Sequence, residues 1–169
     1  MGLFATCSKD GTANLYRTSP AYIIRSFKQP DGNPLKRVFI SESPLACLIM
    51  LSHNLKDLTS FSINGRFLAS YEDFRNIENP IIVTDSNFND KLVYGNTTGK
   101  LVFTKLPYFD DIEIKPCLYK QTVTPLAVTP DKRMLLFFQD GLWCIGDFVT
   151  NIKKEPKEFK NIMGFIKRV

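Results

Sequence analysis

Histidine is the first residue type to examine for catalysis, and the sequence contains one. His53 lies between Ser52 and Asn54, in a polar stretch that predicts a turn. A Ser-His-Asp triad would depend on this residue alone, and the chain has no G-x-S-x-G segment to present a nucleophile. The pattern therefore favours an exposed turn histidine over a catalytic base.

Acidic pairs occur at two places and are candidates for general acid–base chemistry. They are Glu72-Asp73 and Asp110-Asp111. Because adjacent residues of a strand point to opposite faces of a sheet, neither pair can bring both carboxylates to one substrate. We interpret all four as solvated loop charges. The sequence has neither G-x-x-x-x-G-K-[ST] nor G-x-G-x-x-G, so it indicates no nucleotide-binding loop.

The spacing of the cysteines argues against a metal or redox site. They are separated by 40, 70 and 27 residues, and no C-x-x-C occurs. Buried thiols in the strands of a cytosolic protein are the prediction for Cys7, Cys47, Cys117 and Cys144. The sequence thus predicts no catalytic residue, no cofactor-binding residue, no cofactor and no metal ligand, which points away from an enzyme.

Three aromatic residues are candidates for contact with a partner. Trp143 lies in a predicted strand, and tryptophan is enriched at binding hot spots. Tyr108 and Phe109 form an aromatic pair beside a predicted turn. Packing within or between the sheets also explains these residues, and it is the interpretation that the sequence favours.

The elements that carry these residues are predicted to be short β-hairpins. Residues 91–106, KLVYGNTTGKLVFTKL, contain two β-rich runs around a Gly/Asn turn. Gly99 in this turn lies 42 residues before Gly141 and 88 residues, or twice 44, after Gly11. A period of about 40–45 residues is typical of the four-stranded blade of a WD-repeat propeller. The predicted turn residues are Asp10, Gly11, Asn64, Gly65, Gly99, Asp131, Asp140 and Gly141.

Composition separates a folded body from a basic tail. The chain is 44% hydrophobic and 23% charged, as expected for a folded domain. Residues 151–169 carry +4 of the net charge of +5, so the body, residues 1–150, is nearly neutral and a nucleic-acid partner is disfavoured. For the tail, a closing strand, a short helix and disorder remain alternatives. No apolar run approaches 18 residues, and we expect a cytoplasmic protein, at most peripheral to membranes.

Strand-like runs before residue 150 predict an all-β fold. We expect a partial WD-repeat β-propeller with about three and a half to four antiparallel four-stranded blades. The first unit begins without an innermost strand. The chain is therefore either the C-terminal part of a longer propeller, which this feature favours, or a half that pairs with another copy. In both cases we expect open strand edges and apolar faces that promote self-association or poor solubility.

Several segments resemble a known family. Residues 61–69, FSINGRFLA, are similar to a characteristic stretch of the BEACH-domain proteins, the neurobeachin and lipopolysaccharide-responsive anchor group. Leu92-Val93-x-Gly95-x-x-x-Gly99 and residues 123–131, VTPLAVTPD, follow the same order as in that group. The body thus resembles the C-terminal blades of the WD-repeat propeller of these proteins, although it contains no Trp-Asp and no Gly-His pair.

This resemblance implies a function. It implies a non-catalytic protein-interaction scaffold in membrane or vesicle trafficking. The partners would be other proteins, including the missing propeller blades and a BEACH module, with possible peripheral membrane association. The alternative is a WD-repeat propeller subunit of an unrelated cytosolic protein or RNA–protein assembly.

Overall fold

The computed structural model describes residues 2–42, 45–73, 76–85, 87–116, 122–129, 133–139, 141 and 143–146. These residues form β-strands in four antiparallel sheets, and they contain no helix. The all-β prediction is therefore confirmed. Each sheet is a meander, because every strand pairs with the strand that precedes or follows it in the chain.

The sheets follow one another along the sequence. Sheet 1 contains β1 (Leu3–Cys7), β2 (Thr12–Thr18) and β3 (Ala21–Lys28). Sheet 2 contains β4 (Leu35–Ser41), β5 (Cys47–Ser52), β6 (Asp57–Ser62) and β7 (Phe67–Glu72). Sheet 3 contains β8 (Glu78–Thr84), β9 (Asp90–Gly95), β10 (Lys100–Lys105) and β11 (Asp110–Pro116). Sheet 4 contains β12 (Val123–Val128), β13 (Met134–Phe138) and β14 (Trp143–Gly146).

The predicted hairpin turns form as the residue types require. Gly11, between β1 and β2, has φ of +83°, and the Asp10 carboxylate accepts a hydrogen bond from the Thr12 amide at 2.9 Å. Gly99, between β9 and β10, has φ of +73°. In that turn the Asn96 side-chain oxygen accepts bonds from the amides of Thr98 and Lys100. Glycine is the residue that adopts positive φ at least cost, so these turns were readable from the sequence.

Three hydrophobic clusters lie between consecutive sheets. The cluster between sheets 1 and 2 includes Leu15 and Met50, and rings of Phe27 and Phe61 meet edge-on there at 5.7 Å. Tyr94 and Ile49 belong to the cluster between sheets 2 and 3. The third cluster joins sheets 3 and 4. The core is therefore divided into layers, and each layer depends on two neighbouring sheets.

A repeated backbone hydrogen bond fixes how one sheet follows another. At the start of sheets 2, 3 and 4, an amide donates a hydrogen bond to a carbonyl in a turn of the sheet before. In sheets 2 and 3 the accepting turn follows the second strand, and in sheet 1 it follows β1. The bonds join Leu35 to Ser8 (3.1 Å), Ile77 to Leu55 (2.6 Å) and Val123 to Asn96 (3.4 Å). By this equivalence β1 occupies the place of a second strand. The prediction that the first unit lacks its innermost strand agrees with the three described strands of sheet 1.

Candidate interaction surfaces

The described part of the molecule has two edges that differ in how their turns are used. At one edge lie the turns after the second strands and the segments that connect the sheets, and the repeated hydrogen bonds join them. We call this the interlocked edge. At the opposite edge lie the turns between first and second strands and between third and fourth strands. The repeated hydrogen bonds do not involve this second edge.

Three large apolar side chains are exposed at the second edge, which we call the apolar edge. Leu45 lies between β4 and β5, Phe88 between β8 and β9, and Tyr108 between β10 and β11. Their exposed fractions are 52%, 78% and 51%. These turns lie at the same end of two neighbouring sheets, so the three exposed side chains belong to one edge of the molecule.

Hydrogen bonds between sheets 2 and 3 hold the apolar edge together. Asp90, which is buried, accepts bonds from the Ser41 hydroxyl at 2.7 Å and from the Glu42 amide at 3.2 Å. Its other carboxylate oxygen accepts a bond from the Thr84 hydroxyl. A second link runs from the Ser60 hydroxyl to the Pro107 carbonyl oxygen at 2.6 Å. The turns that carry Phe88 and Tyr108 are thus fixed to the neighbouring sheet.

The turn that presents Tyr108 has its own anchor. Phe109 is 4% exposed and belongs to the core between sheets 2 and 3, where its ring lies 6.2 Å from that of Tyr71. Its amide donates to the Lys105 carbonyl at 2.9 Å. Of the two aromatic candidates for partner contact in this turn, Phe109 therefore packs in the core and Tyr108 remains at the surface.

Charged side chains surround the apolar edge. Lys91 lies 3.8 Å from the Asp85 carboxylate, and Lys105 lies 3.8 Å from that of Asp111. Both signs are present, so the surroundings favour neither a strongly acidic nor a strongly basic ligand. Such a polar rim around an apolar centre is the usual anatomy of a protein–protein interface.

A buried polar cluster between sheets 2 and 3 corrects one expectation from the sequence. Asp73 was expected to be a solvated loop charge, but it is buried and accepts a hydrogen bond from the Tyr94 hydroxyl at 2.9 Å. The Tyr94 and Tyr71 hydroxyls are 3.2 Å apart. Burial, together with these bonds, raises the pKa of Tyr94 above its ordinary value. Tyr94 and Asp73 are buried and Tyr71 is half-buried, so the cluster links two sheets from within the blade junction.

Of the cysteines that were expected to be buried, Cys7 is half-buried and Cys47 is buried, and Cys117 and the side chain of Cys144 lie outside the described part of the chain. Cys47 is buried, and burial raises the pKa of its thiol to about 11, although a hydrogen bond with Ser41 lowers it in part. The thiolate is the nucleophilic form, so Cys47 is unreactive near neutral pH. Among the residues that the structure describes, no group of three or more His, Cys, Asp and Glu could hold a metal ion.

Several predicted site residues can now be placed. Asp10, Gly11 and Gly99 lie in turns of the interlocked edge, whereas Asn64 and Gly65 form the β6–β7 turn at the apolar edge, where Gly65 has φ of +89°. Gly141 has φ of +87° in the β13–β14 turn. Asp131 and Asp140 lie outside the described residues. Only the backbone of Trp143 is described, in β14, so its role as a partner contact stays a prediction.

The sequence reasoning missed Leu45 and Phe88. A signal for Phe88 was present, because it is the single apolar residue of the polar turn Asn87-Phe88-Asn89 and has no strand to enter. The sequence analysis named Gly95 within a motif but did not predict its role in packing. A Cβ atom at this position would overlap the Val123 carbonyl group, so glycine is what allows sheet 4 to approach sheet 3.

Comparison with known proteins identifies the fold and no family. No family model matches the sequence, and no curated protein matches it. The computationally designed Ika4 protein superposes with a TM-score of 0.60 at 11% identity, over 86% of this chain and 85% of that chain. BBS1N, solved in complex with ARL6DN and soaked with lead, superposes with a TM-score of 0.62 at 11% identity.

The match to BBS1N covers 85% of this chain and 41% of that chain, so the present chain spans less than half of its length. At 11% identity these similarities concern the fold alone. Within the described residues no helix is long and apolar enough to cross a membrane. The four packed antiparallel meanders and the two structural matches together show that this chain has a β-propeller fold, in which each sheet is one blade.

Proposed function

We propose that this chain is a non-catalytic protein-interaction module that binds a partner protein through the apolar edge. The observation that carries the proposal is the exposure of Leu45, Phe88 and Tyr108 on turns at one edge of two neighbouring blades. Asp90 and the hydrogen-bonded pair of Asp73 and Tyr94 are buried between blades, which supports a structural role for these polar groups.

The physical argument rests on what these side chains gain from a partner. Covering one large apolar side chain contributes about 1.5–3 kcal/mol. Aromatic residues also dominate the energetics of many interfaces, because they bury a large area at a small loss of conformational freedom. The turns of Phe88 and Tyr108 are fixed through Asp90 and Pro107 to the neighbouring sheet. A partner would therefore meet a partly preorganised surface.

We further propose that the partner belongs to membrane or vesicle trafficking and that the chain acts in the cytoplasm, peripheral to membranes. Support comes from the resemblance of residues 61–69 and 123–131 to BEACH-type propellers. The BBS1N structure, which has a similar fold, was solved as a complex with ARL6DN. This finer assignment depends on the sequence resemblance more than on the geometry.

The experiment compares three forms of the tagged protein in cells. They are the native chain, the double variant Phe88→Ser with Tyr108→Ser, and the control Ile114→Ser, which alters an exposed apolar residue further along β11 from the apolar edge. We expect proximity labelling to identify proteins that the native chain and the control share and that the double variant loses. Binding of the purified candidate should then weaken at least about tenfold, which corresponds to 1.4 kcal/mol.

Two further readouts separate the alternatives. Flotation with membranes, lost together with the labelled partners, would support the trafficking assignment. Binding to RNA that weakens steeply with salt would instead favour the RNA–protein assembly. Equal labelling by the native chain and the double variant, both folded, would refute the apolar edge as the binding surface.

A further inference from the structure

The outer faces of sheets 1 and 4 are the two ends of the blade stack, and both expose large apolar side chains. In sheet 1, Ala13 and Leu15 face sheet 2, so the alternate residues face outwards. Phe4, Tyr16 and Ile23 form one outward row across the three strands, and the rings of Phe4 and Tyr16 stack with centroids 4.6 Å apart. Phe4 remains 43% exposed, although β1 holds the place at which all residues of β5 in sheet 2 are buried.

Sheet 4 ends the stack in a similar way. Leu136 and Phe138 face sheet 3, and therefore Leu135 and Phe137 face outwards. Phe137 and Leu126 are exposed large apolar residues, and Ile145 pairs with Leu135 across the sheet. The outward side chains named on the two end faces carry no charge, so packing these side chains together would bury no unpaired ion. Lys28, which pairs with Thr12 on the outward side, lies at the interlocked-edge end of sheet 1.

The interior of the molecule shows how such faces are covered. Each interior sheet has one face towards the sheet before it in the chain and one face towards the sheet after it. In each of the three interior layers, the face of one sheet that is directed towards the next sheet packs on the face of that next sheet that is directed back. The repeated bond to the Ser8, Leu55 and Asn96 carbonyls gives every junction the same direction. By this rule the outer face of sheet 4 fits the outer face of a sheet 1. A contact between two copies of sheet 1, or between two copies of sheet 4, would not have the direction of the other junctions.

We propose that two copies of this chain associate, with the outer face of sheet 4 of each copy packed on the outer face of sheet 1 of the other. The two contacts are equivalent by a two-fold axis, so the dimer is closed and leaves neither end face exposed. It would contain eight blades, within the usual range of four to eight for propellers. This inference is independent of the partner proposed for the apolar edge.

A second copy is the occupant that the direction of the junctions favours. The outward residues of both end faces are exposed in the single chain, so its described sheets do not cover these faces themselves. One copy carries both faces that a junction needs, the outer face of sheet 1 and the outer face of sheet 4, and a second copy therefore completes both junctions at once.

The test uses charge reversal on the full-length chain. Phe4→Lys changes sheet 1, and Phe137→Glu changes sheet 4. Each should give a folded monomer, whereas the native chain should have twice the 19.3 kDa mass of one copy in sedimentation and light scattering. Ile114→Lys is the matched control, because Ile114 is 42% exposed on the outer strand of sheet 3. It should leave the dimer intact.

Mixing the two charged variants gives the decisive result. In a mixed dimer one junction is native and the other places the new lysine against the new glutamate. We therefore expect the mixture to recover the double mass that neither variant shows alone. Circular dichroism and thermal unfolding of each variant confirm that the chains are folded.

Three outcomes would overturn the proposal. The first is a native chain that is monomeric at every concentration, as expected if further blades of another chain cover the end faces. The second is an open series of larger species, which would mean that the contact does not close. The third is a dimer that Phe4→Lys abolishes and Phe137→Glu does not, because that result indicates contact between two copies of sheet 1.

Discussion

The two middle blades and the two end blades have strands of similar composition but very different burial. In sheet 2 all six residues of β5 (CLIMLS) are buried. In sheet 1 the strand at the equivalent place, β1 (LFATC), alternates between half-buried and exposed residues, although it is also rich in apolar residues. The difference arises because β5 has a neighbouring sheet on each face, whereas β1 has one on a single face. The residue pattern of a strand therefore shows how many of its faces are apolar, whereas the neighbouring sheets decide whether those faces are buried.

The middle blades are also joined by polar contacts. Asp90 and Asp73 are buried between sheets 2 and 3, and each accepts hydrogen bonds from the other sheet. Breaking a buried contact of this kind costs more than losing an exposed one, since the remaining polar group has no water to replace its partner. We therefore expect substitutions at the blade junctions to destabilise the fold far more than substitutions on the end faces. Four experiments test this contrast.

The largest effect should come from Gly95→Ala, at the junction of sheets 3 and 4. The new Cβ would overlap the Val123 carbonyl group, and relief requires the backbone of sheet 4 to move. We expect a loss of at least about 4 kcal/mol in the free energy of unfolding, at the upper end of overpacking effects. Urea titration measures it.

Gly32→Ala is the control for Gly95→Ala. Gly32 has φ of +67°, so the substitution strains the backbone, but a Cβ there would meet no atom within 4 Å. It should cost about 1 kcal/mol. Equal urea midpoints for the two variants would show that the junction of sheets 3 and 4 tolerates separation.

The second experiment compares Ile49→Ala with Ile23→Ala. Ile49 is completely buried between sheets 2 and 3, so its truncation should cost about 3 kcal/mol through lost transfer energy and a cavity. Ile23, on the end face of a single copy, should cost less than about 0.5 kcal/mol. Both variants are measured as monomers in the Phe137→Glu background. A similar loss for both would mean that the end face is already covered.

The third experiment removes the hydroxyl that joins Tyr94 to Asp73. Tyr94→Phe leaves the ring in the core but takes one hydrogen-bond donor from a buried carboxylate. The expected loss is about 2 kcal/mol. Tyr16→Phe, on the outer face of sheet 1, is the control and should be nearly neutral. If thermal unfolding does not distinguish them, the Asp73 bond does not contribute to the junction.

The smallest effect should appear as a dependence on alkaline pH. The pKa of Cys47 is about 11 in the folded state against an ordinary value of 9.0, so folding favours the neutral thiol. This contribution is complete below pH 9 and is lost as the pH rises through 11, by an amount on the order of 1–2 kcal/mol. Cys47→Val should reduce the slope of stability between pH 9 and pH 11.

Tyr94 complicates this measurement, because its pKa is also raised and its contribution falls above its ordinary value of 10. The comparison should therefore be repeated in the Tyr94→Phe background. An identical slope with and without Cys47 in that background would contradict the assignment to the thiol.

The sequence by itself determined the local elements of this protein. Alternating apolar residues predicted the strands, and turn residues such as Asp10, Gly11 and Gly99 predicted where the chain reverses. The reason is that backbone preferences and side-chain alternation act over a few residues. The spacing of these turns also gave the blade repeat, since each blade needs a similar length of chain.

Only the tertiary structure decided which residues face a neighbour and which face solvent. Asp73 and Asp111 are both acidic residues in acidic pairs, yet Asp73 is buried against Tyr94 and Asp111 lies at the surface. Phe109 and Phe88 are both turn phenylalanines, yet Phe109 is buried in the core and Phe88 lies at the apolar edge. Their partners come from other blades, more than 20 residues away in the chain for the Tyr94 bond. Local preferences carry no information about contacts made at that separation, so burial and binding surface were set by how the blades pack.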